Sequence, residues 1–444
     1  MYIRPLSLLR MGAITILVLG VLVRLFSIQW NTIPHGDLLD DSRATLAFLQ
    51  HGNFRVQEHD PESTMPGFYS TAKTGGEYLT NHPPLWHILS AGLTFLRGGE
   101  ETLPEIYFSF KVLSFLSGLL TLFLAFFVTR RLLGETAALW LTIFLRISYL
   151  MIDYSGNGSF YMLHAALFLL WILIALGPPR LQRTLLLGAI TGVAYLLNFQ
   201  TVVLLPATLL VLLADTGISF RQKIQHVFLA LALALALALP WFIRDALLFG
   251  DPFFSYATNQ TYVFAKAGLQ PLLREGILTY DIGWPERVLI FRKILATWLP
   301  GNLYYIARKL FILAPIAFIF FSFGLLDYLF SKERFRKMLP VLLLLILHIL
   351  LAASWPVVKF RYFVPFLPLV FLIALEQLSS LSWSGRVKNA VLGATVIVML
   401  VLSFLTYVSV PTHTYYYDGA ITQDLFGGSE EMRFLEEHHL LPTP

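Results

Sequence analysis

Three aspartates stand close together in the long polar loop that follows the first apolar stretch of the chain. Asp37, Asp40 and Asp41 are spaced i, i+3 and i+4, so on a helix they share one face. Gly52 stands where a helix beginning at Asp37 would end. On spacing alone, these carboxylates are a helix cap and a solvated acidic first turn, which the helix dipole favours. They follow an apolar span and lie opposite a basic turn, residues 359–361. This position instead favours the interpretation that they form one wall of an active site.

Several cations are placed to bind an anion near these carboxylates. Lys359 and Arg361 follow a late apolar span on the outer side, where basic residues are unexpected. They are either a lipid-headgroup anchor, helped by Tyr362, or a clamp for an anion such as phosphate. His82 begins a His-Pro-Pro-Leu sequence whose prolines start a helix, and it can donate to an anion, although a lone histidine is more often a simple turn residue. Arg244 is a similar case, with an aspartate beside it.

Two further arginines lie inside apolar spans, one to two turns from their outer ends. Charged residues inside a span face the bundle interior or a polar cavity. Arg24 is close enough to the outer end to extend its side chain outward. Arg146 is the better candidate for a cation in a cavity, and Asp153 is its predicted partner and a further candidate helper carboxylate.

The composition indicates a membrane protein. Of the 444 residues, 57% are hydrophobic and 13% are charged, whereas a soluble domain carries about 25% charged residues. The net charge of +5 is spread over short basic clusters between apolar stretches, which argues against a nucleic-acid partner. The absence of cysteine excludes disulfides and thiolate metal sites. His35, Asp37 and Asp40 are able to bind a divalent cation, but hydrogen-bonded caps are the simpler interpretation, so no metal site or cofactor is predicted.

About eleven transmembrane helices are predicted from apolar stretches of about 17–25 residues and from basic clusters in the short inner loops. The predicted spans are 11–30, 107–129, 135–152, 160–177, two short spans within 184–214, one containing 229–239, and then 309–328, 339–355, 362–376 and 389–409. The N-terminus is then cytoplasmic, and the C-terminus is outside together with two long loops, 31–106 and 241–308. The expected fold class is an all-α polytopic membrane bundle. Residues 1–409 form its catalytic domain, and 410–444 form a short outer tail.

The seventh span contains a strict Leu-Ala alternation over residues 229–239. A period of two normally indicates a strand, but leucine and alanine are both strong helix formers and both apolar. We therefore predict a helix that ends at Pro240-Trp241. Because both residue types are apolar, the alternation assigns no packing face.

Four motifs in this order resemble the polytopic lipid-linked-sugar glycosyltransferases of the C-type fold (GT-C), among them protein O-mannosyltransferases and aminoarabinose lipid A transferases. That group begins its first outer loop with an acidic motif and places a Gly-polar-aromatic triplet fifteen residues later, as Asp37 and Gly52-Asn53-Phe54 stand here. The other three motifs are HPPL at 82–85, which matches the mannosyltransferase version, PWFIRDALLFGDPFF at 240–254 and RYFVPFLP at 361–368. The resemblance also implies that residues 85–96 form a helix along the outer surface.

Three positions depart from the pattern of that group. Leu38 stands where a second acid is common, so Asp40 or Asp41 is the candidate helper carboxylate. The usual acid of the second outer turn falls at Gly158-Ser159, and a lysine common in the fifth span is replaced by Asn198. These departures leave the donor sugar open.

The resemblance implies an inverting glycosyltransferase in the bacterial inner membrane. It would move a sugar from a polyprenyl-phosphate carrier to a hydroxyl on a lipid, glycan or protein at the outer face. A lipid phosphate is already a stabilised leaving group, so cations receive its charge and one general base activates the acceptor hydroxyl. Asp37 is the expected base, and the phosphate-binding residues are His82, Arg244, Lys359 and Arg361. The alternatives are a lipid-linked glycan transporter or flippase, whose internal repeats are not evident here, and an inactive scaffold.

Overall fold

The structure, a computed structural model, describes residues 18–28, 36–54, 82–249, 252, 267–268, 272–274, 277–279, 284–356 and 358–409. At 36–37, 39–40, 248–249, 272–274, 277–279 and 407–409 it describes the backbone alone. The predicted tail 410–444 and residues 55–81 of the first outer loop lie outside the described residues.

The described residues form a bundle of helices with one small hairpin. The helices are α1 Val18–Ile28, α2 Gly36–His51, α3 Leu85–Leu96, α4 Leu103–Leu133, α5 Glu135–Ile147, α6 Tyr149–Asp153, α7 Tyr161–Ala175, α8 Leu181–Tyr195, α9 Leu204–Ala214, α10 Phe220–Phe249, α11 Trp284–Lys293, α12 Leu299–Leu313, α13 Pro315–Tyr328, α14 Lys332–Ser354, α15 Leu367–Ser380 and α16 Gly385–Ser409. Two 3-10 turns, Phe199–Val203 and Phe360–Phe363, and a π-helical turn, Ile294–Trp298, connect some of them. The hairpin pairs β1 Leu272–Arg274 with β2 Ile277–Thr279.

Four helices in the described part of the chain are long and apolar enough to cross a membrane. They lie in α4, α10, α14 and α16. The helical bundle is confirmed, but the predicted number of about eleven spans is not, because several predicted spans are shorter apolar helices. The predicted span 309–328 is divided at Ala314, whose backbone leaves the helical region before Pro315 begins α13. Proline lacks the N–H that would continue the preceding helix, which explains the break.

The predicted break between two short spans near Asn198 is confirmed. Asn198 stands between α8 and the first 3-10 turn, and its side-chain oxygen accepts a hydrogen bond from the backbone N–H of Gln200 at 2.7 Å. The freed carbonyl of Leu196 accepts a hydrogen bond at 2.9 Å from the N–H of Leu85, the first residue of α3. The hydrogen bond at this break therefore fixes the start of α3, the helix expected at 85–96.

The Leu-Ala alternation does encode a packing face, contrary to the sequence interpretation. Ala230, Ala234 and Ala238 are buried along one side of α10 at helical spacing. A Cβ added to Gly188 of α8 would lie 2.6 Å from the carbonyl oxygen of Ala230, and one at Gly192 would lie 2.7 Å from that of Ala234. Every fourth residue of a helix shares a face, so alanine in alternate positions leaves a small-residue strip for the glycines of α8.

The prediction that this helix ends at Pro240-Trp241 is wrong. α10 continues through Pro240 to Phe249, so the first part of the predicted outer loop 241–308 is helical. The last part is helical too, from Trp284 through the π-helical turn into α12. Proline is tolerated inside membrane helices, where neighbouring segments and local adjustments satisfy the carbonyl that it frees. The continued helix extends Trp241 and Arg244 toward the first outer loop.

Candidate active site

The acid-bearing helix α2 ends where the sequence predicted, but it begins one residue before Asp37, so Asp37 is a first-turn residue and not the N-cap. It runs from Gly36 to His51, and Gly52 follows with φ of 68° while its N–H donates to the carbonyl of Phe48 at 2.9 Å. Glycine is the residue that adopts such a left-handed conformation without a Cβ penalty. The backbone places Asp37 and Asp40 in the first turns of α2, while their side chains are outside the described set.

Asp41 is buried between two histidines. Its Oδ1 atom lies 3.0 Å from Nδ1 of His82, which therefore donates a hydrogen bond to the carboxylate. The same Oδ1 atom lies 3.6 Å from Nε2 of His87, a distance at which the interaction is electrostatic rather than a hydrogen bond. This hydrogen bond connects the HPPL motif to α2, and it occupies the carboxylate of Asp41 inside the protein.

His87 was not singled out from the sequence. It lies on α3, is fully buried, and its Nδ1 atom is 3.2 Å from both the carbonyl oxygen of Asp41 and Oγ1 of Thr45. Because a carbonyl only accepts, Nδ1 carries the proton, and Nε2 is left without a hydrogen-bond partner. Burial lowers the pKa of His87 below its ordinary value of 6.5, outweighing the opposing charge of Asp41. The signal in the sequence that could have identified His87 is a histidine within an otherwise apolar helix.

Phe54, the aromatic member of the Gly52-Asn53-Phe54 triplet, joins three elements. Its ring stacks on Phe48 at 4.7 Å between centroids, and lies 5.7 Å from the ring of His87 and 6.2 Å from that of Trp241. Trp241 in turn lies under the guanidinium of Arg244 at 4.2 Å. The triplet therefore connects the acidic helix to the third motif through aromatic contacts.

Arg244 has the neutralising neighbour that the sequence suggested. Its Nη1 atom donates to Oδ1 of the buried Asp245 at 2.7 Å. The ion pair and the ring of Trp241 together fix the guanidinium, which is partly exposed. Because Phe54 contacts both Trp241 and His87, this part of α10 lies near the Asp41 cluster.

The start of α7 brings the HPPL motif and the basic turn together. The ring of Phe160 lies 5.0 Å from the ring of His82 and 4.5 Å from that of Tyr161. The guanidinium carbon of Arg361 lies 6.0 Å from the centroid of Tyr161. Two consecutive rings therefore separate His82 from Arg361, while Lys359 immediately precedes the 3-10 turn that carries Arg361.

The basic turn is held from inside the bundle by a buried histidine of α14. His348 Nε2 lies 3.1 Å from the carbonyl oxygen of Tyr362, so Nε2 donates. His164 of α7 packs against His348 with ring centroids 5.4 Å apart, and both are buried. Phe168 and Phe366 surround the pair. The position of Arg361 thus depends on a hydrogen bond made to the next residue in the turn.

Two buried lysines near the site were also missed. Lys111 of α4 donates through Nζ to the carbonyl of Ile28, at the end of α1, at 2.7 Å. Lys309 of α12 places Nζ 4.7 Å from the ring of Tyr305 and 4.8 Å from that of Phe360 in the basic turn. A lysine in an apolar span is a functional candidate by default, and this rule identifies both in the sequence.

The predicted pairing of Arg146 with Asp153 is not seen. No ion pair in the described part of the chain joins them, although Asp153 ends α6, the short helix that follows α5. Asp153 lies within electrostatic range of Tyr107 on α4 instead. Asp153 is therefore not the partner of Arg146, whose neighbour is Arg24.

The missing acid of the second outer turn has a steric explanation. Gly158 has φ of 85°, and a Cβ built on it would lie 2.8 Å from Cδ2 of Leu38. Its carbonyl accepts a hydrogen bond from Nε1 of Trp86 at 3.1 Å. A side chain at this position is excluded by both the backbone and the packing, and Leu38, the other departure from the pattern, provides the contact.

The candidate metal ligands considered from the sequence lie outside the residues whose side chains the structure describes. Where side chains are described, no group of three histidines, aspartates or glutamates lies close enough to hold a metal ion. The candidate ligands His35, Asp37 and Asp40 are not among them. The carboxylate of Asp41 is occupied by His82, so it belongs to a hydrogen-bonded cluster.

Known proteins resemble this chain in sequence and in fold. Residues 81–243 match the family model described as dolichyl-phosphate-mannose-protein mannosyltransferase. The structure superposes on ArnT from Cupriavidus metallidurans bound to undecaprenyl phosphate with a TM-score of 0.56 and 16% identity, over 87% of this chain and 63% of ArnT. It superposes on the archaeal oligosaccharyltransferase AglB from Archaeoglobus fulgidus, in complex with an inhibitory peptide and a dolichol-phosphate, with a TM-score of 0.54 and 13% identity, over 98% of this chain and 60% of AglB. No curated protein matches the sequence.

These matches confirm the resemblance predicted from the motifs. The chain has the C-type glycosyltransferase fold, and the matched segment contains the HPPL motif and ends within the third motif. The chain spans 63% of the length of ArnT and 60% of the length of AglB.

Proposed function

We propose that this chain, with its C-type glycosyltransferase fold, transfers a sugar from a polyprenyl-phosphate carrier to a hydroxyl acceptor at the outer face of a bacterial inner membrane. The match of residues 81–243 to a dolichyl-phosphate-mannose-dependent family supports the class of donor. ArnT with undecaprenyl phosphate and AglB with dolichol-phosphate share the fold. The acceptor is a lipid, a glycan or a protein of the cell envelope.

The observation that carries this proposal is the convergence of the motifs on the first turn of α7. His82 contacts Asp41 of the acidic helix on one side and Phe160 on the other. Arg361 lies against the adjacent ring of Tyr161. A lipid-phosphate sugar needs a carboxylate and a set of cations within the length of one sugar phosphate, and the contacts of α2, His82 and Arg361 around this turn support such an arrangement.

The chemistry proposed for this surface is a single displacement. Asp37 accepts the proton of the acceptor hydroxyl as that oxygen attacks the anomeric carbon. The bond from this carbon to the phosphate oxygen breaks on the opposite face of the sugar, so the configuration is inverted. The released lipid phosphate keeps the bonding electrons, and Arg361, Lys359 and His82 bind its charge. Arg361 binds two phosphate oxygens at once, and Lys359 acts as a point charge.

The hydrogen bond between Asp41 and His82 decides which residue is the candidate helper carboxylate. Since Asp41 is buried and accepts the His82 hydrogen bond, we assign it to positioning rather than to proton transfer. Asp40, three residues after Asp37 on the same helix, is then the candidate helper. Arg244, fixed by Asp245 and Trp241, completes the cationic wall on the side of α10.

The direct test is donor turnover by the purified chain. Synthetic polyprenyl-phosphate sugars are supplied with an extract of envelope lipids and glycans as acceptor, and free polyprenyl phosphate is measured. We expect release with at least one sugar, and release slowed by about 10²–10⁴ in Asp37→Asn. The chain is a transporter, and the proposal fails, if every donor stays intact while the protein, reconstituted in sealed vesicles, moves it across the bilayer.

The proposed topology has a separate test. We propose one membrane-embedded unit, 1–409, with a cytoplasmic N-terminus and an outer tail, 410–444. A reporter active only outside the cytoplasm should be active when fused after Pro444 and inactive when fused after Lys337. The reverse pattern would place the HPPL motif and the basic turn on the cytoplasmic side.

A further inference from the structure

A second cationic cluster lies where α1 meets α5. Arg24 is fully buried, and its Nη1 and Nη2 atoms donate to the carbonyls of Gly20 at 3.2 Å and Leu145 at 2.9 Å. Its Nε atom donates to Oγ of Ser155 at 3.1 Å. All three acceptors are neutral, so they accept hydrogen bonds from Arg24 without balancing its charge.

Arg146 lies directly beside Arg24. A Cβ built on Gly20 would approach Cδ of Arg146 to 3.1 Å, so the stem of Arg146 packs against the same turn of α1. Arg146 is 8% exposed, and its Nε and Nη1 atoms have no hydrogen-bond partner. Two arginines therefore lie against the same turn of α1, and no ion pair in the described residues joins either to a carboxylate.

A bound anion would offset the electrostatic cost of this arrangement. Arginine remains protonated in proteins, and a buried charge is retained only where it is paired. A phosphate group suits the site, because it offers several oxygens to the planar donors of two guanidiniums.

The surroundings of the pair favour an amphiphile as the source of that phosphate. The outward side of α1 is apolar, with Leu22 and Phe26 exposed as lipid-facing residues are. The last helix, α16, is fixed beside Arg146 by Ser403, whose Oγ donates to the carbonyl of Ile147 at 2.6 Å. Ser155 lies in the turn that follows α6, so the cluster is at a helix end, and helix ends are where lipid headgroups border a membrane bundle.

We propose that Arg24 and Arg146 form a phosphate-binding site, distinct from the one at Arg361, that takes the headgroup of an anionic lipid. The site does not depend on sugar transfer, and its test measures binding and thermal stability only. Inorganic phosphate has the same chemistry and is the second probe, so the two sources can be separated.

The experiment compares variants of the full chain in a neutral detergent. Phosphatidylglycerol, phosphatidylcholine or inorganic phosphate is added, with chloride at the same ionic strength as the reference, and the unfolding midpoint and lipid binding by native mass spectrometry are recorded. The test variant is Arg146→Met, and Arg130→Met, at an exposed arginine near the end of α4, is the matched control. Arg361→Ala removes the other proposed phosphate ligand.

We expect phosphatidylglycerol, and not phosphatidylcholine, to raise the midpoint of the wild type, Arg130→Met and Arg361→Ala. Arg146→Met should bind phosphatidylglycerol about tenfold or more weakly, because it loses charge-assisted hydrogen bonds. Without added anion, Arg146→Met should be at least as stable as the wild type, since an apolar side chain replaces an unpaired buried charge. A rise with inorganic phosphate as well shows that the site takes free phosphate, and a rise with the lipid alone shows that it takes headgroups.

Three results would overturn the proposal. The first is an unchanged response to phosphatidylglycerol in Arg146→Met, and the second is no response of the wild type to either phosphate source. The third is an Arg146→Met variant that folds but has a lower unfolding midpoint than the wild type without added anion, because the charge of Arg146 would then be balanced within the chain. Arg146→Lys, which keeps the charge, gives a second measurement if the methionine variant does not fold. It should respond to phosphatidylglycerol more weakly than the wild type.

Discussion

The Nδ1 atom of His82 lies 3.0 Å from the Oδ1 atom of Asp41, and this contact joins two motifs that are far apart in the sequence. It orients the His82 ring beside Phe160 and occupies the carboxylate that the sequence left as a candidate helper. The two acids of α2 therefore differ in predicted function, although they lie one turn apart. Asp37 is the proposed base, and Asp41 holds the HPPL histidine.

Neutralising these two aspartates should have unequal effects. Asp37→Asn should lower transfer by about 10²–10⁴, the usual contribution of a general base, while donor binding persists. Asp41→Asn keeps an oxygen to accept the His82 hydrogen bond, so transfer should fall by about tenfold or less. Rates and donor binding are measured for both in one detergent. Near-normal turnover by Asp37→Asn would refute its assignment and direct attention to Asp40, Asp41 or Asp153.

The two cations of the basic turn should not be interchangeable. Arg361→Lys keeps the charge but loses the planar pair of donors, so donor affinity and rate should fall substantially, whereas Lys359→Arg should be mild. His82→Ala should weaken the use of donor more than the use of acceptor. The measurement is the dependence of rate on donor concentration for each variant. Unchanged affinity and maximal rate in Arg361→Ala would leave the turn as a headgroup anchor.

His348 should act on the donor through the backbone of the basic turn. His348→Leu removes the hydrogen bond to Tyr362 and should raise the KM for the donor by about fivefold, since the bond is worth about 1 kcal/mol. His348→Gln can still donate to that carbonyl and should restore most of the donor affinity. Equal loss of stability and of kcat in both variants, with KM unchanged, would indicate a purely structural role.

The contact between α8 and α10 should not tolerate a single added methyl group. Gly188→Ala places a Cβ 2.6 Å from the carbonyl oxygen of Ala230, so the backbones must separate, and we expect a loss of about 1–3 kcal/mol. Gly393→Ala in α16 is the control, because a Cβ there meets nothing within 4 Å. It should be neutral or stabilising by about 0.5–1 kcal/mol. Unfolding midpoints in detergent decide this, and an equal response of the two variants would contradict the packing.

Stability should fall as the medium becomes more acidic, in part because of His87. Its pKa is lowered by burial, so below about pH 6.5 the unfolded chain binds a proton that the folded chain does not. Folding is therefore favoured above this pH and loses stability progressively below it. His87→Gln removes this titration, and its unfolding midpoint should decline less than that of the wild type between about pH 7 and pH 5. Parallel curves for the two proteins would show that His87 does not contribute.

The sequence by itself determined the features that depend on neighbouring residues. Gly52 ends α2 because only glycine takes that backbone conformation without cost, and Asn198 caps the break between two short helices. The apolar composition indicated a helical membrane bundle, and the order of four motifs indicated its fold. These signals are local or additive, so they can be read without knowing which elements touch.

Only the tertiary structure decided the features that need a partner from another element. The Leu-Ala alternation gains a packing face when the glycines of α8 meet Ala230 and Ala234, and Pro240 remains inside α10. His87 becomes part of the site because α3 packs on α2. Arg146 lies beside Arg24 rather than opposite Asp153. A side chain's partner is set by how helices cross, and residues far apart in sequence fix that crossing together.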